Sequence, residues 1–253
     1  MEWAWWVYAG LVLVAFVAGF ISSIAGAGGL IVLPVLLWAG VPPLNALAIN
    51  KFQSVFGTLT STLNFFRKGH LDVRPLWPGL LCALVGAVAG TWLIQRMPSD
   101  WLKLLLPLLL LLLALYFAFS PDISDEPRPA RMGQGPFNVI AGTGLGLYGG
   151  FFGPGMGSFY AAAFARWRGQ PMRAATASTK PFVLVVNVTS MLVFVASGYQ
   201  WWGLAIAMAA AQIVGARIGS NLVISRGARL VKPLLVWVTL AIAGNLLWRS
   251  WGQ

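Results

Sequence analysis

The sequence predicts an all-α protein that crosses a membrane several times and consists of two inverted repeats. Its 253 residues are 58% hydrophobic and only 9% charged, whereas a soluble domain carries charge on roughly a quarter of its positions. Apolar stretches of roughly twenty residues recur along the chain, and each can span about 30 Å of hydrocarbon. Each repeat is predicted to contain a glycine-broken helical hairpin followed by three transmembrane helices.

The apolar segments follow the same order in both halves of the chain. The first half has segments at 5–25, 30–39, 46–66, 76–95 and 102–119, with a glycine-rich break at 26–29. The second half has segments at 136–152, 158–165, 174–196, 203–224 and 230–248, with a break at 153–157. A polar, proline-containing stretch lies between the halves. We therefore expect a first membrane repeat at 1–119, a linker at 120–135 and a second membrane repeat at 136–253.

The repeat is also visible in the residues themselves. A shift of 129 positions aligns twelve identities across 53 positions, including Lys51 with Lys180 and Gly86 with Gly215. A shift of 127 positions aligns Gly26 with Gly153. Apolar composition alone would match some leucines and valines, but it would not readily align lysines and several glycines.

Loop charges favour inverted rather than parallel halves. Loop 67–74 carries three basic residues, while its counterpart at 197–200 carries none. Conversely, loop 38–45 is uncharged and its counterpart at 166–173 holds three arginines. Because basic loops favour the cytoplasm, corresponding loops are expected on opposite sides, as in many transporters.

Inversion requires an odd number of net crossings in each half. Each broken pair is therefore predicted to be a hairpin with its tip inside the membrane. Both termini would then lie outside, and loops 67–74, 120–135, 166–173 and 225–232 would be cytoplasmic. The alternative threads each broken pair through the membrane as one kinked helix, which requires parallel halves and leaves the loop charges unexplained.

The two glycine breaks are the first candidates for a functional site. Irregular backbone at membrane depth requires protein or a water-filled cavity around it, and a helix that restarts there presents free N–H groups to an anion. The residues assigned to substrate binding here are Gly26, Ala27, Gly28, Gly29, Gly153, Pro154, Gly155, Met156 and Gly157. The alternative is tight helix packing, which we favour for Gly86-x-x-x-Gly90 and Gly215-x-x-x-Gly219.

Two lysines inside apolar helices are the second candidates. Lys51 and Lys180 occupy matching repeat positions, and a lysine there is costly unless it faces a cavity or a partner. Together they predict one positive pocket, although snorkelling to the interface remains an alternative. Polar neighbours that could bind substrate oxygens, or instead bridge helices, are Asn50, Gln53, Ser178 and Thr179. Asn64, Asn187 and Gln212 are weaker candidates.

Several functional classes lack their residues. All six acids fall in termini or loops, so no membrane carboxylate can relay protons. The sequence contains no phosphate-binding Gly-Lys-Ser/Thr loop, no zinc motif and no nucleophile–base pair. We therefore expect that the protein is not an enzyme and that it binds no cofactor or metal. The basic residues cluster in short loops, which argues against nucleic-acid binding.

The expected partners are a small anion and the lipid bilayer, and the sequence leaves the oligomeric state open. A cleaved signal peptide is not expected, because no basic region precedes the first apolar stretch.

Five motifs resemble one known family. They are G-F-I-S-S-I-A-G-A-G-G-L-I-V-L-P at 19–34, A-x-x-x-N-K at 46–51, F-F-R-K-G-H-L at 65–71, G-x-x-x-G-T at 86–91 and G-x-F-G-x-G-x-G at 150–157. The last motif is accompanied by T-S-T-K at 176–180, which Ala177 interrupts. The chain is similar to the TauE/SafE family of sulfite and organosulfonate exporters. The resemblance implies a plasma- or inner-membrane transporter of sulfur-containing anions such as sulfite, sulfoacetate or thiosulfate, without a cofactor. A non-transporting receptor or scaffold subunit and an anion channel remain the alternatives.

Overall fold

A computed structural model describes residues 4–119 and 128–226 of the chain. These residues form helices joined by short connections. The helices are α1 Trp5–Ala25, α2 Gly29–Trp38, α3 Pro43–Arg67, α4 Trp77–Gln95, α5 Ser99–Phe119, α6 Gln134–Phe137, a π-helical segment Asn138–Thr143, α7 Gly144–Phe151, α8 Met156–Arg168, α9 Met172–Ala196 and α10 Trp202–Arg226. The predicted segment at 230–248, residues 120–127 of the linker and residues 227–232 of loop 225–232 lie outside the described residues.

The helical segments confirm the predicted all-α membrane protein. Four helices are long and apolar enough to cross a bilayer: Trp5–Ala25, Trp77–Gln95, Met172–Ala196 and Trp202–Ile224. The 25-residue α3 is as long as α9, but its interior carries more polar side chains. Prolines set equivalent starts for these two helices, because Pro42 precedes α3 and Pro171 precedes α9.

Glycines bring pairs of helices into backbone contact. A Cβ at Gly90 of α4 would collide with the backbone of Leu147 and Phe151 in α7. A Cβ at Gly219 of α10 would collide with the backbone of Phe20 in α1. The prediction that the two G-x-x-x-G motifs mark helix contact faces is therefore confirmed.

The two central helices, α3 and α9, run antiparallel. Near the start of α3, Asn45 Nδ2 donates to Tyr199 O at 2.8 Å, just beyond the end of α9. Near the opposite end of α3, the ring of Phe65 lies 5.9 Å from Lys180 Nζ in α9. Between these contacts, Asn187 Nδ2 lies 3.5 Å from Thr58 Oγ1.

Each glycine-broken pair folds back to the end at which it began. In the second half, Arg131 N donates to Trp167 O at 2.9 Å, which joins the approach to α6 to the end of α8. In the first half, Tyr8 Oη of α1 donates to Gly203 O at 2.9 Å. Gly203 follows Tyr199, which contacts the start of α3, so α1 and α3 begin at the same end. We call these pairs hairpin 1 (5–38) and hairpin 2 (134–168).

Most of the described basic side chains gather at one end of the helix bundle. Lys68 Nζ donates to Asn221 Oδ1 at 2.9 Å, and Arg168 donates to Met132 O at 2.6 Å. Arg173 approaches His70 Nε2 at 3.5 Å and donates to Ile224 O. These contacts place the end of α3, the end of hairpin 2, the start of α9 and the end of α10 together, and we call this the basic end.

Candidate functional site at the hairpin tips

The tips of the two hairpins meet inside the protein. Gly26 adopts a φ of 71° at the end of α1, and its Cα packs so closely on Gly157 that a Cβ on either residue would collide with the other. Ser158 Oγ donates to Ala25 O. A Cβ on Gly29 would lie 3.2 Å from Pro154 Cα. The two breaks that the sequence singled out are thus adjacent in space.

Both helices that restart at the breaks have glycine N-caps. Gly28 precedes α2, and Gly155, with a φ of 75°, precedes α8. Glycine has no side-chain oxygen to accept from the first-turn N–H groups. Because the N-terminus of a helix carries a partial positive charge, the tips place two such ends close together.

The two lysines are buried and hydrogen-bonded across the two halves. Lys51 is 1% exposed and Lys180 3% exposed. Lys180 Nζ donates to Ser23 O at 2.7 Å and Ser22 O at 3.3 Å, in the last turn of α1. Lys51 Nζ donates to Gly149 O, in the last turn of α7. Neither side chain snorkels to the interface, and each places a cation at the negative end of a helix.

The lysine contacts occupy matching positions in the two halves of the sequence. Lys51 and Lys180 match under the shift of 129, while their acceptors Ser22 and Gly149 match under the shift of 127. Each lysine therefore binds the helix that precedes the break in the opposite half. This cross-binding joins α3 to hairpin 2 and α9 to hairpin 1.

The lysines lie on opposite sides of the α3–α9 crossing. Lys51 is seven residues before Thr58, and Lys180 is seven residues before Asn187. Because the helices are antiparallel, these steps separate the two Cα atoms by about 20 Å along the helix axes. This arrangement differs from the single shared pocket that the sequence predicts, since each ammonium group has its own hairpin as a partner.

The polar neighbours differ between the halves. Asn50 lies beside Gly29 of hairpin 1, and its Oδ1 has no hydrogen-bond partner among the described residues. Gln53 is fully buried, and both of its amide atoms are unpartnered there as well. In the second half, Thr179 Oγ1 donates to Thr176 O of its own helix at 2.8 Å, and Ser178 is half-buried.

The other residues at the hairpin tips pack around the breaks or form hydrogen bonds there. Ala27 is fully buried, and Met156 packs near Gly149. Sequence reasoning did not single out Tyr148, whose hydroxyl donates to Pro154 O. A tyrosine in an apolar run offered no signal for that contact. Ser158, the first residue of the predicted segment 158–165, joins the two tips through its hydrogen bond to Ala25 O.

The charges around the tips favour an anion. Both ammonium groups and two helix N-termini lie near the breaks. Among the described residues, the two acids Asp72 and Asp100 are both exposed. No group of three or more His, Cys, Asp or Glu side chains in the described ranges could hold a metal ion. The tips therefore present positive groups that could bind a small anion.

Comparison with known proteins supplies independent evidence. The family model described as Sulfite exporter TauE/SafE matches residues 11–246. The "Probable membrane transporter protein YfcA" of Escherichia coli K12 is 40% identical over 243 residues, which cover 96% of this chain and 90% of that protein. The "Probable membrane transporter protein ORF9" of Sinorhizobium sp is 40% identical, covering 94% of this chain and 91% of that protein. A "Probable membrane transporter protein" of Haemophilus influenzae is 37% identical, with coverages of 94% and 93%. No solved structure matches the chain significantly.

Proposed function

The chain belongs to the sulfite exporter TauE/SafE family of membrane transporters, and we propose that it exports small sulfur-containing anions through the cell membrane. Sulfite, sulfoacetate and thiosulfate are the candidate substrates. The single observation that carries the proposal is the meeting of two glycine-broken helix tips, each next to a buried lysine. Helix N-termini and ammonium groups at that place favour a bound anion. This role requires no cofactor and no catalytic residue.

Inverted repeats are the architecture that we propose for this transport. The antiparallel α3 and α9 are equivalent helices, and equivalent helices of inverted halves must run in opposite directions. The glycine contacts support the same relation. Gly86 faces Thr143 and Gly215 faces Phe16, and these pairs correspond under the two sequence shifts. Residues 1–119 and 136–253 would form the halves, with 120–135 as the linker.

Charge supports an orientation with the basic end in the cytoplasm. The described basic residues at that end are Arg67, Lys68, Arg74, Arg128, Arg131, Arg166, Arg168 and Arg173. The opposite end, where Ser197 Oγ donates to Gln95 Oε1 at 2.8 Å, carries only Arg96, Lys103 and Asp100 among the described residues. Because cytoplasmic loops carry the basic excess, both termini would lie outside.

Alternating access follows from the cross-bound lysines. When a substrate anion approaches an ammonium group, it competes with the backbone carbonyl that the lysine binds. Loss of the Lys180 contact would free the tip of hairpin 1, and loss of the Lys51 contact would free the tip of hairpin 2. Because the two contacts lie on opposite sides of the α3–α9 crossing, their alternate release would open the site to opposite sides of the membrane.

Membrane voltage is sufficient to drive export. Moving one negative charge out of a cell whose interior is near −100 mV gains about 2.3 kcal/mol. The carrier needs no proton relay for this direction, and the described helices hold no buried carboxylate that could serve as one.

Flux in proteoliposomes tests the transport proposal. We expect vesicles that contain the purified protein to release sulfite with saturable kinetics, and an inside-negative voltage to accelerate the release. Counterflow would identify a carrier rather than a channel. Vesicles that bind sulfite but show no flux would favour a receptor, and flux that ignores voltage would contradict uncoupled anion export.

Cysteine labelling tests the inverted topology. His70 and Ser197 are exposed residues in corresponding loops. In a Cys82→Ser background, which removes the native thiol, we expect a membrane-impermeant maleimide to label Ser197→Cys in intact cells. It should label His70→Cys only after the membrane is permeabilised. Labelling of both positions from the same side would contradict inverted halves.

A further inference from the structure

Three amide side chains lie where α3 packs against α10, next to the tip of hairpin 1: Asn50 and Gln53 on α3, and Gln212 on α10. Asn50 and Gln53 are three residues apart on α3, so they share a helix face. Four residues after Gln53, Gly57 packs against the side chain of Gln212 of α10, which also covers Gly19 of α1. The set thus extends from the start of α2 to the contact between α1, α3 and α10. We call it the amide cluster.

The amide cluster is buried but incompletely hydrogen-bonded. Asn50, Gln53 and Gln212 are 5%, 0% and 2% exposed. Four of their amide atoms lack a partner among the described residues: Asn50 Oδ1, Gln53 Nε2, Gln53 Oε1 and Gln212 Oε1. A buried polar group without a partner costs about 1–3 kcal/mol. Several such groups on one face, beside a helix N-terminus, indicate a place where a ligand supplies the missing bonds.

The cluster combines residues of both halves, but it has no counterpart at the equivalent repeat positions. The equivalent positions are Thr179, Phe182 and Ala83. Thr179 donates to its own helix, Phe182 packs 4.9 Å from the ring of Tyr160, and alanine has no polar side chain. The proposed substrate therefore binds off the pseudo-twofold axis, nearer to α2 than to α8.

We propose that Asn50, Gln53 and Gln212 bind the oxygen atoms of the transported anion and select a singly protonated oxyanion of the hydrogen sulfite type over a fully deprotonated dianion. This inference rests on the proposed transport function. A neutral amide presents an N–H donor and a C=O acceptor, whichever way the amide is oriented. A fully deprotonated oxyanion can only accept, so it would leave the amide oxygens unpaired, whereas a protonated oxyanion donates to one of them.

A buried amide oxygen that needs a hydrogen-bond donor can discriminate strongly between a protonated and a deprotonated anion. A site that hydrogen-bonds a substrate O–H or N–H strongly rejects an analogue that lacks it, because the buried polar group is then left unpaired. The second charge of a dianion also increases the cost of removing it from water. Among the candidate anions, sulfite in its protonated form fits the amide cluster better than thiosulfate or sulfoacetate.

Binding of sulfite at two pH values tests this selection. Purified full-length protein in detergent is titrated with radiolabelled sulfite in mildly acidic buffer, where the singly protonated anion prevails, and in mildly alkaline buffer, where the dianion prevails. We expect the apparent Kd to rise about tenfold in the alkaline buffer, the effect of about one hydrogen bond. Methanesulfonate, a permanent monoanion, controls for protonation of the protein.

That control is needed because titratable and charged groups lie on elements packed around the cluster. They are Lys51 on α3, Lys180 on α9, Arg217 on α10, Tyr148 on α7 and Tyr8 on α1. Any pH-dependent change in the charge of the protein around the cluster would alter methanesulfonate and sulfite binding alike. If sulfite and methanesulfonate show the same pH dependence, the proposed selection is wrong.

Two amide variants and a matched control assign the effect to the cluster. In Gln53→Leu and in Gln212→Leu, the apparent Kd for sulfite should rise only about twofold or less between the acidic and the alkaline buffer. Gln95→Leu should keep the wild-type rise, because Gln95 has an unpartnered Nε2 as well but lies at the opposite end of α4 from the basic end. If the apparent Kd of both variants still rises about tenfold, as in the wild-type protein, the proposal is overturned. The amides would then be structural groups that bind water.

The outcomes also separate this inference from the transport function. If sulfite neither binds nor crosses the vesicle membrane with the wild-type protein, the proposed function fails. If sulfite crosses but its affinity is the same in both buffers, only the selection fails. If neither amide variant folds, the comparison of sulfite with methanesulfonate on the wild-type protein still decides the selection.

Discussion

Replacement of Lys180 by methionine is expected to lower sulfite flux about ten- to a hundredfold while the protein still folds. The ammonium group of Lys180 is buried at the tip of hairpin 1, 2.7 Å from Ser23 O, and a hydrogen bond to a charged group contributes about 1.5–3 kcal/mol. Methionine keeps much of the side-chain volume but removes the charge. Lys51→Met should have a similar effect, because Lys51 makes the equivalent contact with Gly149. Sulfite flux is measured in proteoliposomes, and folding is measured by thermal unfolding in detergent.

Exposed and charge-preserving variants complete this test. Lys103 is 66% exposed and pairs with Asp100, so Lys103→Met should leave flux unchanged. Lys180→Arg retains the charge and should restore part of the flux. Wild-type flux in both Lys51→Met and Lys180→Met would remove the lysines from the anion site and leave them as helix caps.

The helix boundaries could be predicted because local residues determine them. The sequence predicts a first segment at 5–25, and α1 is Trp5–Ala25. Glycine at the break permits the φ of 71° at Gly26, so the end of this helix can be located from composition alone. The predicted segment at 136–152 is likewise helical as far as Phe151, but six of its residues form a π-helix, and no local pattern predicted that widening.

The cross-binding of the lysines could not be predicted from the sequence. Internal repetition placed Lys51 and Lys180 at matching positions, but it did not give their distance from the α3–α9 crossing. That distance depends on where Thr58 meets Asn187, which is a tertiary contact. The sequence therefore predicted one shared pocket, whereas the structure places each lysine on the hairpin of the opposite half.

The amide cluster was only partly predictable for the same reason. Asn50 and Gln53 lie next to Lys51 in the chain, so they were assigned to the site together with it. Gln212 is 159 positions after Gln53, and its repeat counterpart is an alanine, so internal repetition gave no support for it. Its position beside Gly57, about one helical turn after Gln53, depends on the parallel packing of α3 and α10.

A second large effect is expected from valine at Gly90. A Cβ at this position would overlap the backbone of Leu147 and Phe151 in α7, and a main chain cannot rotate away as a flexible side chain can. Overpacking of a core by small groups typically costs about 1–3 kcal/mol, and the backbone contact here puts Gly90→Val at the upper end of that range or beyond it. Because α7 ends two residues before Gly153, separation of α4 from α7 would also displace the tip of hairpin 2. We expect Gly90→Val to lower the thermal unfolding midpoint strongly and to abolish flux.

Glycines without close neighbours provide the control for Gly90→Val. A Cβ at Gly144 of α7 or at Gly10 of α1 would meet no neighbouring helix within 4 Å among the described residues, and valine is a better helix former than glycine. Gly144→Val and Gly10→Val should therefore keep or slightly raise the unfolding midpoint. Gly219→Val should reproduce the damage of Gly90→Val, because Gly219 makes the equivalent contact between α10 and α1. If Gly90→Val unfolds at the wild-type temperature, α4 and α7 do not pack through their backbones, and the tip of hairpin 2 is not held by that contact.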